Sequence, residues 1–449
     1  MSETRGQGDT GRWGEAPLPI SVSPRLRVMV VGSGAREHAL AWGAARSRGV
    51  LEVLVAPGNG GTARTFRNLL VDPMDPAALA AAAREARPDL VVVGPDDPLA
   101  AGAVDALQAA GLRAFGPTKA AAQIEASKVW SKQFMRRHDI PTAPFEVFDD
   151  SDGAHRFLDA RPPEWERVVV KADGLARGKG AIVCDTDDEA HAAVQSMLAA
   201  HDFGSAGDRV VIEQQLQGEE ASVFALCDGE TALPMGAARD HKRIFDGDRG
   251  PNTGGMGAYS PTRLVPPDVL DHVMRRIVQP AVEGMAAEGR SFTGFLYAGL
   301  MFTRQGPQVI EFNARFGDPE AQAVLPLLAS DLVELIEAAL DGRLRGRTLR
   351  WHDGHACAVC LASAGYPDQV RDSCPVSGLD AVDSDAFVFH AGTVEQDGRI
   401  ITRGGRVLTV VGQGPTLAAA RRHAYRNVER ISFEGMQYRR DIGAREENE

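Results

Sequence analysis

Three polar side chains, each two residues from the next, carry the clearest chemical signal in this sequence: Glu311, Asn313 and Arg315 in VIEFNARFGDPEAQ, residues 309–322. Val309, Ile310 and Phe312 favour extended chain and Gly317-Asp318-Pro319 closes it, so the spacing predicts a strand. Side chains alternate across a strand, which sets Glu311, Asn313 and Arg315 on one face within about 14 Å, and Ile310 and Phe312 on the other. A carboxylate and a carboxamide oxygen are hard donors suited to Mg²⁺, usually held by one or two protein groups together with substrate phosphates. A guanidinium beside them suits a carboxylate or phosphate met bidentately. A solvated edge strand with alternating charges reads the same way in isolation, so the rest of the chain must decide.

A basic, glycine-rich stretch decides it. KADGLARGKG, residues 171–180, lies between strands expected at 166–171 and Ala181–Cys184. It lacks the GK[ST] ending and following helix of a P-loop. It reads instead as a loop between antiparallel strands that can close over a triphosphate, its amides and Lys179 meeting the charge; a bland flexible hairpin is the alternative. A helix over 187–200 and a strand over 209–213 complete a small lid. Glu213-Gln214-Gln215-Leu216 then returns to the main body, placed to read an adenine edge and its ribose through backbone and Glu213. A helix over 125–138 begins near Lys128, either a surface lysine or a phosphate contact. Residues 240–261 form a long polar loop of a kind that compact domains rarely keep without a task. Its His241, Lys242 and Arg243 supply positive charge, and Asn252 to Gly257 supply close backbone approach. A buried strand at 294–302, without an acid, and a turn at Gln305-Gly306 lead into the opening stretch.

Towards the N-terminus, an apolar strand at 27–31 runs into GSGAREHAL, residues 32–40, and an alanine-rich helix. A glycine turn at a helix N-terminus offers free amides to a phosphate. The dipole contributes only ~0.3–1 kcal/mol at exposed sites, leaving room for Arg36 or His38 to add to it. Gly32-x-Gly34 imitates the dinucleotide fingerprint, but Glu37 stands where helix–strand packing wants a glycine. The acid farther on, Glu52, begins the next strand instead of ending it, so a nicotinamide cofactor is rejected. Strands at 89–93 and 112–115 are closed by GPDDPL and Gly116-Pro117-Thr118. Ligands of open α/β sheets bind beyond the carboxyl ends of the strands, where these loops and Asn59-Gly60-Gly61 would gather. Asp96 or Asp97 can accept from sugar hydroxyls there, or serve only as turn and cap residues.

The length of 449 residues suits two to four domains, and 44% apolar with 24% charged residues is ordinary for a soluble protein. A net charge of −12 argues against a general nucleic-acid or anionic-membrane binder, while local clusters of Lys and Arg can still hold anions. Five widely spaced cysteines read as free thiols in a reducing compartment. No apolar run approaches the roughly 20 residues of a membrane span. Residues 1–24 lack an apolar h-region and are expected to be a disordered leader, in a cytoplasmic protein. After a helix at 331–340, composition shifts at 342–350, a linker to a tail with strands at 356–361, 386–390 and 406–411 and a helix around 416–429. His352, His355, Cys357 and Cys360 imitate a metal site, but zinc wants such pairs on tight turns. CAVCLA is an apolar β-run that sends Cys357 and Cys360 to opposite faces, so core cysteines are expected.

From about Arg27 onward the sequence resembles the ATP-grasp ligases and, among them, the phosphoribosylamine–glycine ligase family. The resemblance rests on GSGAREHA, APGNGGT, VGPDDPL, FGPT, KADGLARGKG, DHKR, NTGGMGAYSP, EFNARFGDPEAQ, HAGT and GGRVL, with RFGDPEAQ the most specific. It implies a multidomain α/β and α+β fold. An N-terminal open parallel domain would cover 25–127, a two-lobed ATP-grasp core 128–345 with a lid at about 145–213, and a mixed C-terminal domain 351–445. It implies ATP-driven phosphorylation of glycine to glycyl phosphate, then attack by 5-phosphoribosylamine. Glu311 and Asn313 match the family's ligands for Mg²⁺ or Mn²⁺. Lys128, Lys171, Gly174, Gly178, Lys179, Gly180, Glu213, Leu216 and Glu220 would meet ATP, and Gly34, Arg36, Asn59 and Asp96 would hold phosphoribosylamine. Arg315, Lys242 and Asp318 form the expected catalytic group, with Lys242 and Arg315 for phosphate charge and the glycine carboxylate and Asp240 or Asp318 for the glycine amine. Two departures stand out: Arg177 where a small residue is expected, and no acid on the strand before the metal strand. Small-molecule partners, no nucleic acid or membrane, and a monomer or weak homodimer complete the expectation. Another ATP-grasp carboxylate–amine ligase and a non-catalytic nucleotide sensor are the competing readings.

Overall fold

The structure, a computed structural model, describes residues 25–175, 180–200 and 202–447. The leader at 1–24 and the lid-loop residues Arg177, Gly178 and Lys179 lie outside them. The first unit is a five-stranded parallel sheet with Leu26–Gly32 at its centre. Val50–Pro57 and Arg67–Asn68 lie to one side, Leu90–Val93 and Ala114–Phe115 to the other. The central strand reads as an unbroken apolar run because both its faces are covered; Val28, Met29, Val30 and Val31 are all fully buried. Strand order reverses across it, which opens a crevice at the carboxyl ends of Leu26–Gly32 and Leu90–Val93.

The main body is one eight-stranded sheet. From its edge run Gly306–Asn313, Thr293–Thr303, Glu219–Asp228, Ala232–Asp240 and Gly257–Ser260, followed by His355–Ala362, Arg406–Gly414 and Phe387–His390. The three expected tail strands therefore join the main sheet, and only Thr393–Gln396 with Arg399–Thr402 forms a separate two-stranded sheet among the described tail residues. Gly257–Ser260 pairs antiparallel with His355–Ala362 and makes one sheet across the linker at 342–350. Cys357 and Cys360 sit in that junction strand, both fully buried as free thiols. Residues 240–261 are not a loop either. They contain a hairpin of Arg243–Phe245 with Arg249–Asn252 and then the sheet strand Gly257–Ser260. Four glycines within 247–255 hide the strand pattern there.

The lid is a four-stranded antiparallel sheet in the order Phe145–Phe148, Val210–Gln214, Val168–Ala172, Ala181–Cys184. Helices Ser151–Ala160 and Asp187–Val194 close an apolar cluster of its own around Leu158, Val170, Val194 and Ile212. The single helix expected at 125–138 is broken into Gln123–Ala126 and Lys128–Arg137. Ser127 is extended between them, its hydroxyl accepting from Trp130 N–H at 3.0 Å and donating to Asp173 at 2.6 Å. A serine N-cap satisfies amides a helix start leaves open, and Asp173 ties this start to the base of the lid.

Candidate active site

Gly306–Asn313 pairs with Thr293–Thr303, but the register slips: Leu300 faces Val309 and Gly299 faces Glu311, leaving Ile310 as the extra residue of a bulge. Bulges re-aim groups beside sites; here the Ile310 carbonyl accepts from Lys171 Nζ at 3.0 Å. Lys171 also meets Glu213 at 2.6 Å, and Lys132 meets the other Glu213 oxygen at 2.5 Å. All three side chains are about 95% buried or more. Burial opposes ionisation of Glu213, but Lys132 and Lys171 hold its carboxyl below the usual range. Burial brings Lys132 down to about 8 despite Glu213. With one lysine on each oxygen, the Glu213 carboxylate positions Lys132 and Lys171 at the wall of the cavity.

Glu311 makes no hydrogen bond or ion pair with any described residue. Burial raises its cost of ionising, yet Lys242, Lys128 and Lys171 hold its carboxyl below the ordinary value. Asn313 is buried; its Oδ1 accepts from Arg315 at 3.2 Å while its Nδ2 has no partner. A charged carboxylate without a protein partner, beside a carboxamide oxygen with one lone pair spare, fits a hard divalent cation. The acid missing from Thr293–Thr303 has a neighbour on the next strand out. Glu220 lies across from Met301 and pairs with Lys242 at 2.8 Å.

A cavity of about 1700 Å³ gathers Arg36, Asp96, Lys128, Lys171, Gly180, Glu213, Leu216, Glu220, Asp240, Lys242, Glu311, Asn313, Arg315 and Asp318. Three expected residues lie off it. The side chain of Asn59 is spent: its oxygen accepts from Gly61 and Thr62, and its amide donates to Ser33 O and His390 O. That uses every bond a carboxamide makes, so Asn59 ties the first sheet to the tail and has nothing left for a ligand. Gly34 donates its N–H to Glu37 at 2.7 Å, so a carboxylate of the chain itself occupies the helix start expected to seat phosphate. The same Glu37 presses against Gly32 and Gly94, where any Cβ would lie within 2.5 Å of it. Gly174 packs on Ala206 and offers only its carbonyl, 3.4 Å from Lys128 Nζ.

Arg36 is buried, bonded to Glu37 and to Phe316 O at 3.1 Å. Arg315 lies past the end of the strand, in a bend, paired with Glu125 at 3.1 Å. Burial pushes Glu125 up to about 7 even so. Burial also raises Asp96, but Arg315 and Arg36 outweigh it and hold Asp96 below the usual range. Asp318 is depressed likewise: burial raises it, but Arg406 at 3.2 Å, Arg36, Gln322 and Arg315 together outweigh burial. Asp240 goes the other way. Burial raises it, Lys242 opposes, and Glu220 adds to the rise. Burial first and then Asp240 push Glu320 up to about 7. Lys132, Glu125, Glu320 and Arg406 were not legible as site residues. Glu320 sits inside the signature run, but the other three share no motif with the residues they face.

This arrangement, a small lid hinged over buried lysines that face a carboxylate–carboxamide pair on a sheet edge, defines an ATP-grasp enzyme. A biotin carboxylase–β,γ-ATP complex from Campylobacter jejuni shares the fold at TM-score 0.68 and 13% identity, covering 94% of this chain and 95% of that one. The chain belongs to the phosphoribosylglycinamide synthetase family: residues 26–125, 126–321 and 356–445 match its N domain, ATP-grasp (A) domain and C domain. A phosphoribosylamine–glycine ligase of Ralstonia nicotianae is 51% identical over 94% of this chain and 99% of its own length. One from Neisseria meningitidis is 50% identical over 93% and 98%. The crystal structure of the Thermotoga maritima phosphoribosylamine–glycine ligase matches at TM-score 0.80 and 34% identity, covering 93% of this chain and all of that one.

Proposed function

We infer that this protein is an ATP-dependent carbon–nitrogen ligase that joins glycine to 5-phosphoribosylamine, giving glycinamide ribonucleotide, ADP and phosphate in de novo purine biosynthesis. The observation that carries this reading is a single cavity with two unlike ends. Lysines and Glu311, which no described residue bonds, stand on the lid side at one end. At the other, Arg36 and Asp96 stand at the carboxyl ends of the parallel sheet. We take the working units as 25–127, 128–345 with the lid at 145–213, and 351–445, acting as a monomer or weak homodimer in the cytoplasm.

A carboxylate is a poor electrophile, so glycine must first become an acyl phosphate. Lys128 and Lys171 meet the nucleotide phosphates beneath the lid, Lys171 held in aim by Glu213 and Ile310 O. Glu311 and Asn313 Oδ1 would hold Mg²⁺ or Mn²⁺, which when bound neutralises charge on phosphate oxygens. Arg315, fixed by Glu125, faces the carboxylate being phosphorylated, and Lys242 takes the charge of the transferring group. Of the two acids considered for the glycine amine, Asp318 is already neutralised by Arg406. Asp240 beside Glu320 therefore receives the ammonium. The closed lid keeps water from glycyl phosphate.

The attacking amine must shed a proton, and Glu320, pushed up to about 7 by burial and Asp240, is matched to accept it near neutrality. A base works in its ionised form, so turnover should climb as pH rises through about 7. Glu320→Gln should flatten that limb; a variant that keeps the wild-type profile would assign the titration elsewhere. Arg36→Ala should raise the KM for phosphoribosylamine by roughly tenfold, the scale of one charge-assisted hydrogen bond, and leave the KM for ATP unchanged. Equal weakening of both would place Arg36 in general packing. ADP release with glycine and phosphoribosylamine, set against alternative acids, tests the whole reading. Equal release with another acid favours a different ligase, and binding without release favours a sensor.

A further inference from the structure

Arg406, which opens the tail strand Arg406–Gly414, reaches across the sheet junction into the active cavity. One guanidinium nitrogen donates to Gly254 O at 2.7 Å, Gly255 O at 3.3 Å and Asp318 O at 2.7 Å. The other lies 3.2 Å from the Asp318 carboxylate. The other Asp318 oxygen accepts from Gln322 at 2.7 Å. Gly254 lies flat on the guanidinium, where an added Cβ would come within 3.1 Å of the guanidinium carbon. Gly255, at φ +111°, leaves no room for a Cβ beside Pro319. A second tail residue joins in: the Tyr366 hydroxyl accepts from Gly254 N–H at 3.1 Å. Two segments far apart in sequence, 253–255 and 317–322, are thus clamped together by side chains from the tail.

The clamp sits at the substrate end of the cavity. The Asp318 carboxylate is 3.4 Å from the point where a Cβ on Gly34 would lie, at the strand-end crevice of the parallel sheet. Lys171, Lys132 and Glu213 form the opposite, lid-side wall. A planar, always-charged fork that satisfies three carbonyls and a carboxylate together is a geometry lysine cannot reproduce. Small misplacements of groups facing a substrate have large kinetic cost.

We propose that Arg406, assisted by Tyr366, is a positioning residue of the amine-substrate end: the tail sets the geometry of the segments that receive the sugar-phosphate amine, while nucleotide binding does not depend on it. The inference rests on the function proposed above. The test is steady-state kinetics of full-length Arg406→Gln, Arg406→Lys and Tyr366→Phe, with KM for phosphoribosylamine and for ATP measured separately alongside thermal melting. Arg406→Gln should raise the amine KM at least tenfold with the ATP KM within twofold of wild type. Arg406→Lys should recover only part of the loss, because it restores charge on Asp318 without the fork. Tyr366→Phe, which removes one hydroxyl, should raise the amine KM severalfold and guards against an Arg406 variant that does not fold. An unchanged amine KM in Tyr366→Phe and in any folded Arg406 variant, or ATP and amine KM rising together, overturns the proposal. A wild-type protein that does not turn over with glycine and phosphoribosylamine overturns the function itself. Turnover by wild type with indifferent variants overturns this inference alone.

Discussion

Glu311→Ala is expected to lower kcat by at least about 10²-fold, the scale of losing one contact that stabilises transition-state charge, with only a small change in the melting temperature. The reason lies in what Glu311 touches. Described protein groups give it no hydrogen bond or ion pair, and Lys242, Lys128 and Lys171 keep it ionised against burial. A half-buried carboxylate that lysines keep ionised, and that no described residue bonds, is free to hold a cation. Removing it should take away binding of the divalent ion and, because the lysines lose their counter-charge, lower stability only slightly. Turnover and melting, measured on the same preparation, separate the cases. Near-normal kcat contradicts the metal-holding role, and a large drop in melting temperature would make the residue structural. Titration with Mn²⁺ in the presence of an ATP analogue adds a readout independent of turnover: the variant should lose the tight site.

Glu213→Ala should behave in the opposite way, with stability falling first. Glu213 stands between Lys132 and Lys171, all three buried. Taking one partner from a buried ionic cluster leaves charge uncompensated and costs about 3–5 kcal/mol. Lys132, already brought down to about 8 by burial, would then give up its proton more readily, which keeps the loss toward the lower end. At about 2–4 °C per kcal/mol for a large domain, the melting temperature should fall by several degrees. The KM for ATP should also rise, because Lys171 loses its aim. The pH dependence has a definite sign. Glu213 is depressed in the folded state, so its contribution is present above its unfolded value near 4.5 and is lost as pH falls through the lower folded value. Wild type and Glu213→Ala should therefore converge in stability under acid. Parallel melting curves from pH 7 down to the acid limit would contradict the cluster's role.

Much of this was legible along the chain because motifs of chemistry are local. Glu311, Asn313 and Arg315 lie within five residues, and the strand beneath the first two follows from β-branched and aromatic neighbours. Errors came where a local signal had two readings. Glycines at 247–255 spoke for a loop, yet they serve a hairpin and a close approach to Arg406 and Pro319. An uninterrupted helical pattern at 125–138 concealed a break whose cause, Asp173, lies some forty-five residues on. Asn59 looked like a ligand residue because polar residues in glycine turns often are. Its partner His390 O comes from the far end of the chain.

The sequence by itself determined the local strands and the pair of side chains fit for a cation, while the domain architecture and the reaction followed from the resemblance of its motif blocks to a ligase family. The strands and the donor pair depend on residue type at short spacing, which periodicity and donor chemistry constrain directly. Tertiary structure alone decided which acids are charged, which lysines are aimed and which segments are clamped. Glu213 is held by lysines from two other elements, Asp318 is neutralised from the tail, and Glu320 is raised by burial beside Asp240. Charge and burial depend on distances in space, and residues such as Asp318 and Arg406, eighty-eight apart in the chain, become neighbours only when the sheet closes across the linker.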